Sequence, residues 1–397
     1  MKRSRFRLAG LLAVLLLVAL GFAGCGDDEE TPTNAGGDDG GAKKAVTLAY
    51  VGPLTGEAAN LGINIRNGAK TAIEEYNKKA DGKYTITLKE FDTEGDPAKA
   101  TTVKDQYIAD TSIIGIIGPA FSGETKAVIP ELQAAGLVMI SASATNKDLP
   151  TIVAGSTVFH RVIADDTFQG KGIGEYIVDK LSAKSLVVID DNSEYGKGLA
   201  DDTIKAVQAK GGKAAKRVSL DPKAADFSAA VNDAKSATPD VIFYSGYYQE
   251  AGRLKKQLTD AGVTAKFISG DGSLDPGFIE AAGAAAAEGA LLSCPCNLAT
   301  ETSTGKLGDF YKSYIAVNGG KGPGTYSPEA YDVANIFIKG IEAGNTDRAG
   351  LLNFVEKDLG TYEGISKTVE FEDNGNIKTP QLFVFVVKGG KITATES

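Results

Sequence analysis

The sequence predicts an α/β fold in which two doubly wound, parallel-sheet lobes are joined by a hinge of three chain crossings. Three observations carry this reading. Short apolar runs alternate with segments whose apolar residues recur at helical spacing. The alternation pauses and restarts near residue 185. The loops after the apolar runs are made of glycine, small hydroxyl residues and acids. Strands alternating with helices imply parallel sheets covered on both faces, and two such runs imply two lobes.

In order, residues 46–51 read as an apolar strand ending at Gly52-Pro53, and Leu61, Ile65, Ala69, Ala72, Ile73 and Tyr76 form one face of a helix. A strand follows at 86–91, a helix at 98–110, a buried strand at 113–117, a helix at 123–135 and a strand at 138–140. The second run gives strands at 185–189, 214–218, 241–244 and 266–268, separated by helices at 196–210, 226–236 and 249–261. The restart places the crossings near Ala164, Leu291 and Asn374. The first lobe is then 46–164 plus 292–373, and the second 165–291 plus 374–397.

The N-terminus carries an address. Lys2, Arg3, Arg5 and Arg7 precede an apolar run over 8–22, short for a membrane span and suited to a signal peptide. The run ends in Phe22-Ala23-Gly24-Cys25, which resembles a bacterial lipobox, although Phe22 stands where that pattern prefers Leu. The lipobox reading makes 1–24 a lipoprotein signal peptide and Cys25 the lipidated residue. An ordinary secretory signal or an uncleaved anchor is the alternative. Residues 25–45, rich in Asp, Glu, Gly, Thr and Pro, cannot bury apolar surface and read as a flexible tether.

Composition removes several functions. Acidic residues number 51 against 42 basic, a net charge of −9, which excludes a nucleic-acid binder working through a basic surface. His160 is the single histidine, so most His-based catalysis and His-rich metal binding lack their residues, and neither metal nor cofactor is expected. There is no Walker sequence and no G-x-S-x-G elbow. Gly170-Lys-Gly-Ile-Gly174 mimics a dinucleotide fingerprint with the wrong spacing and reads as a helix start.

Ligands of doubly wound folds bind beyond the carboxyl ends of the strands. Those loops are 52–56, 118–125 and 141–146 in the first lobe, and 190–196, 244–249 and 269–272 in the second. Hydroxyls and free N–H groups at helix starts suit a carboxylate, a lone acid such as Asp271 suits an ammonium, and tyrosines suit an amphipathic lid.

From about residue 46 to 388 the chain resembles the branched-chain amino-acid type periplasmic binding proteins of ABC transporters, which have the type I bilobal fold. The resemblance rests on Gly52-Pro-Leu-Thr-Gly56, Asp92 with Asp96-Pro97, Gly118-Pro119 with Ser122 and Thr125, Ile140 to Asn146, Arg161 with Gln169-Gly170, Tyr195-Gly-Lys-Gly198 and Gly246-Tyr247, in that order. It implies Ser122 and Thr145 on a ligand carboxylate, the Ser143 carbonyl with Ala144 beside it facing an ammonium, and Asp271 pairing that ammonium. It further implies Tyr195 and Tyr247 on the second lobe and Leu61 at the wall of the side-chain pocket, where the family often has an aromatic. A first-lobe disulfide of some members would fall at Gly95 and Phe121 and is absent.

Plainer roles compete with these. Ser122, Ser143 and Thr145 are also good helix caps, Asp271 between glycines is also a turn acid, and Tyr195 and Tyr247 could be core residues. His160 reads as structural. Cys294 and Cys296 read as a structural pair near the hinge, bridged or not. The function expected is a monomeric, non-catalytic receptor on the outer face of the membrane that passes a small ligand, an amino acid, to an ABC permease. A sensor of the same fold reporting to a membrane regulator is the alternative, and an acid-based extracytoplasmic hydrolase is the remote one.

Overall fold

The structure is a computed structural model and describes residues 43–395; Cys25, the signal peptide and nearly all of the tether lie outside these residues. The first apolar run becomes β1 (Lys44–Gly52), buried from Leu48 onward. The amphipathic face that follows becomes α1 (Ala59–Asn77), with Leu61, Ile65, Ala69, Ala72, Ile73 and Tyr76 all turned inward. Then come β2 (Tyr84–Asp92), α2 (Pro97–Ala109), β3 (Ile113–Ile117), α3 (Ser122–Ala134), β4 (Val138–Ser141) and β5 (Phe159–Arg161). All five strands are parallel in the order β2-β1-β3-β4-β5. Position in the sheet explains composition: central β3 is Ile-Ile-Gly-Ile-Ile and wholly buried, while edge strand β2 alternates and keeps charges outward. Asp96 caps α2 by accepting from the Ala98 N–H at 2.7 Å, with Pro97 at the first helical position.

The chain leaves the first sheet after Arg161 and enters α4 (Asp166–Glu175), which carries the Gly170-Lys-Gly-Ile-Gly174 run as an ordinary helix segment. The second sheet is built from β6 (Ser185–Asp190), α5 (Glu194–Ala209), β7 (Lys213–Ser219), α6 (Ser228–Ala237), β8 (Val241–Ser245), α7 (Tyr248–Asp260), β9 (Lys266–Ser269), α8 (Pro276–Ala282), α9 (Ala284–Ala287) and β10 (Leu291–Cys294). The chain returns to the first lobe through α10 (Gly305–Val317), α11 (Ser327–Glu342), α12 (Arg348–Asn353) and the small hairpin β11 (Tyr362–Glu363) and β12 (Thr368–Val369). It ends in the second sheet with β13 (Phe383–Lys388) and β14 (Lys391–Ala394), giving the order β14-β13-β10-β9-β8-β6-β7. The last two strands are antiparallel additions to a parallel sheet.

Two crossings differ from the expected positions. β10 stays in the second sheet through Cys294, paired with β9 and β13, so the second crossing follows Cys294 and not Leu291. Residues 374–377 still lie on β5: the Arg161 N–H donates to the Gly375 carbonyl at 3.0 Å and Phe371 bridges Ile377. The third crossing therefore comes between Ile377 and Phe383, not at Asn374. Cys294 and Cys296 are joined by a disulfide that straddles the second crossing. α11 lies along α1 so closely that a Cβ on Gly68 would enter the Ser327 backbone, which makes glycine a requirement there.

His160 lies in β5, buried and beside the Phe371 ring at 4.8 Å. Burial pushes its pKa down to about 4. An unfolded histidine titrates near 6.5, so below that pH the unfolded chain binds a proton that the fold refuses. Stability should fall as pH drops from about 6.5 to about 4, by up to about 3 kcal/mol from this one group. Urea titrations at stepped pH should show a shallower acid limb in His160→Gln than in the parent.

Candidate functional site

The carboxyl ends of both parallel sheets face each other across the cleft, and a small pocket lies between them. It is lined by Phe121, Ser122, Ser143 and Tyr326 from the first lobe and by Tyr195, Tyr247, Asp271 and Gly272 from the second. The lobes touch around it: Asn60 Nδ2 donates to Asp275 Oδ1 at 3.0 Å, Asn146 Nδ2 to the Glu194 carbonyl at 2.9 Å, and Lys126 pairs with Glu194 at 2.9 Å. The Phe121 and Tyr247 rings meet across the cleft with centroids 4.5 Å apart, and Tyr247 meets Tyr195 at 5.5 Å.

At the centre is Asp271, 1% exposed. Tyr195 donates its O–H to Oδ1 at 2.7 Å and Tyr326 donates to Oδ2 at 2.6 Å. Tyr195 in turn accepts the Gly272 N–H at 3.1 Å. Burial holds the Asp271 carboxyl above the usual carboxylate range, with the Tyr326 and Tyr195 hydroxyls pulling the other way. Burial, and next the Asp271 charge, raise Tyr195 and Tyr326 well above the ordinary phenol value, so both stay protonated donors. A carboxylate ringed by neutral hydroxyls and with no cationic side chain on it is chemically prepared for a positive guest.

The first-lobe hydroxyls do not cap the helices that follow them. Ser122 opens α3, yet its Oγ accepts the Asn146 N–H at 3.1 Å, leaving its own proton for a guest. Ser143 donates to the Ala120 carbonyl at 2.5 Å. Together they stitch the loop after β3 to the loop after β4. The first turn of α3 adds N–H groups with no helical partner, at the positive end of its dipole.

Thr145, Ala144 and Leu61 do not line the cavity. Thr145 is buried against Asp166, and its carbonyl accepts the Asp166 N–H at 2.8 Å. The Ala144 carbonyl accepts from Arg161 Nη1 at 3.1 Å. Leu61 packs into the first-lobe core, so its expected place on the pocket wall is corrected: the first-lobe rings there are Phe121 and Tyr326. Sequence reasoning passed over both. Phe121 adjoins Ser122, and Tyr326 closes a Gly-Pro-Gly-Thr loop before a Pro-containing helix start, which is a readable signal. It also passed over Asp166, fully buried, whose pKa burial and the nearby Asp271 charge raise well above the ordinary value while the Thr145 hydroxyl pulls it down.

Such an arrangement defines the class of bilobal solute-binding proteins. The chain belongs to the periplasmic binding protein family, whose model matches residues 45–391. It is 31% identical over 354 residues to the Leu/Ile/Val-binding protein homolog 3 of Brucella melitensis, a match covering 88% of this chain and 94% of that protein. It is 28% identical over 347 residues to the leucine-, isoleucine-, valine-, threonine- and alanine-binding protein of Pseudomonas aeruginosa, covering 87% and 90%. The solved structure of a branched-chain amino acid transporter substrate-binding protein from Streptococcus pneumoniae, in complex with isoleucine, is similar with a TM-score of 0.79 and 26% identity, covering 89% and 99%.

Tyr326 has φ 67°, a left-handed conformation costly for a bulky residue. The surrounding fold holds it there, with the next residue, Ser327, pressed against Gly68. Tyr326→Phe keeps the ring and deletes the donor to Asp271. Its unfolding free energy should fall by about 1.5–3 kcal/mol, the range for a bond to a charged group. A variant as stable as the parent in urea would show that water replaces the phenol.

Proposed function

We propose that this protein captures a free α-amino acid with an aliphatic side chain between its lobes and delivers it to an ABC permease. The observation that carries the proposal is an inter-lobe pocket with an acid that no cation pairs on one side and hydroxyl and helix-start donors on the other. Asp271 takes the ligand ammonium, and the Ser122 hydroxyl with the N–H groups of the first turn of α3 takes the carboxylate. Phe121, Tyr247 and Tyr326 enclose the side chain, and no further charge lines the cavity to select a charged one. The relatives from Brucella melitensis and Pseudomonas aeruginosa, binding proteins for leucine, isoleucine and valine among others, favour the branched-chain class. Closure of the lobes over the ligand is the form a permease would recognise. Lipidation at Cys25, with residues 25–45 as tether, would hold the receptor at the outer face of the membrane.

A calorimetric screen of the twenty amino acids should return Leu, Ile or Val as the tightest ligand, and binding of none would reject the proposal. In Asp271→Asn the ligand ammonium loses its buried partner, at about 2–5 kcal/mol, or roughly 30- to 4,000-fold in Kd. The acid also sets a pH dependence. Protonation of the empty site removes the charge that the ammonium needs, so affinity should fall as pH drops through the raised Asp271 range, beginning above the pH at which an ordinary aspartate protonates. Asp271→Asn should bind weakly and independently of pH over the same range.

A further inference from the structure

We infer that Lys367 is the positioning residue of the hinge, one buried ammonium that holds the chain crossings in the closed geometry. Its side chain is 1% exposed and lies just before β12. Nζ donates to the Val162 carbonyl at 3.1 Å, to the Pro295 carbonyl at 3.4 Å and to Glu329 Oε1 at 3.0 Å. Val162 follows β5, at the first crossing. Pro295 sits inside the disulfide, at the second crossing. Lys367 belongs to the segment that leads into the third. Glu329 is in the first turn of α11, its side chain fully buried, and its Oε1 also accepts the Asn297 N–H at 3.0 Å. Asn297 Nδ2 donates to the Ser366 carbonyl, closing the knot.

The partners explain why this cluster governs motion. Two of the three acceptors are backbone carbonyls, so the charge fixes main chain and not merely side chains. Hinge closure is absorbed by φ/ψ changes at a few such positions. Inside a water-free site an ammonium that loses an acceptor finds no replacement, so the first two crossings cannot slide independently. Glu329 lies three residues beyond Tyr326, so the same helical turn that anchors the ammonium carries the phenol on Asp271. The site and the hinge are therefore mechanically continuous. Removing the ammonium should lower the closed population, and apparent affinity falls with the fraction of molecules that are binding-competent.

The test compares the mature protein with Lys367→Met/Glu329→Gln. The double variant removes both members of the ion pair, and the amide oxygen that replaces Glu329 Oε1 still accepts from Asn297; the three bonds of the ammonium, to Val162, Pro295 and Glu329, are lost. Small-angle scattering without ligand should show a larger radius of gyration than the parent. Titration with L-leucine should show Kd raised about five-fold or more, with the same compact particle at saturation. Unchanged ligand-free scattering with unchanged Kd overturns the inference, even where melting is lowered, because a purely structural role moves stability alone. If the double variant does not fold, Glu329→Gln alone, which weakens but does not remove the anchor, should still raise Kd about two-fold, and an unchanged value there rejects the role. The inference rests on ligand capture by closure, and the ligand-free scattering arm separates the two. A parent that ignores L-leucine rejects the proposed ligand class and leaves the hinge to be decided by scattering.

Discussion

Asp271 is a buried acid whose two oxygens accept hydrogen bonds from phenols on opposite lobes, Tyr195 and Tyr326, and the geometry of the cleft follows from satisfying it. A carboxylate in a nearly dry site must find donors or give up its charge. Here one donor comes from α5, in the lobe that also carries Asp271, and the other from the N-terminus of α11 in the first. The two lobes thus share an obligation that neither meets alone. The Gly272 N–H on Tyr195 and the aromatic contacts of Tyr247 extend that obligation into both cores.

Placing the phenols takes much of the fold. Tyr195 is set by an α5 start capped by Ser193, which accepts the Gly196 N–H at 2.8 Å. Tyr326 is set by a left-handed residue at the start of a helix that can approach α1 only because position 68 lacks a Cβ. The serines of the first lobe do related work, tying the loop after β3 to the loop after β4 so that the donors converge. The chemistry is simple and the support for it is long-range.

That division decides what could be read from the sequence. Strands such as Ile113–Ile117 and Val241–Ser245 are buried on both faces, and their unbroken apolar runs announce a parallel sheet. α1 and α5 show one apolar face and are equally plain. Asp271, Tyr195, Tyr247, Ser122 and Ser143 were legible because each follows such a strand and the family motifs run in order. Leu61 misled because order along the chain says nothing of a ring supplied from residue 326, far away in sequence. Tyr326 itself needs a positive φ that propensity argues against. The late crossings were displaced by strand pairing: β10 is short, and it is held in the second sheet between β9 and a partner far along the chain at Phe383–Lys388.

The interleaving has a consequence for the order in which the protein can be made. β10 waits for a partner that ends at Lys388, and α1 is covered only when α11 at Ser327–Glu342 arrives. A chain delivered from its N-terminus therefore holds a complete first sheet with α1 still uncovered until α11 arrives, and a second sheet lacking its last two strands until β13 and β14 appear. Such non-local closure is slow and leaves apolar surface exposed while it waits.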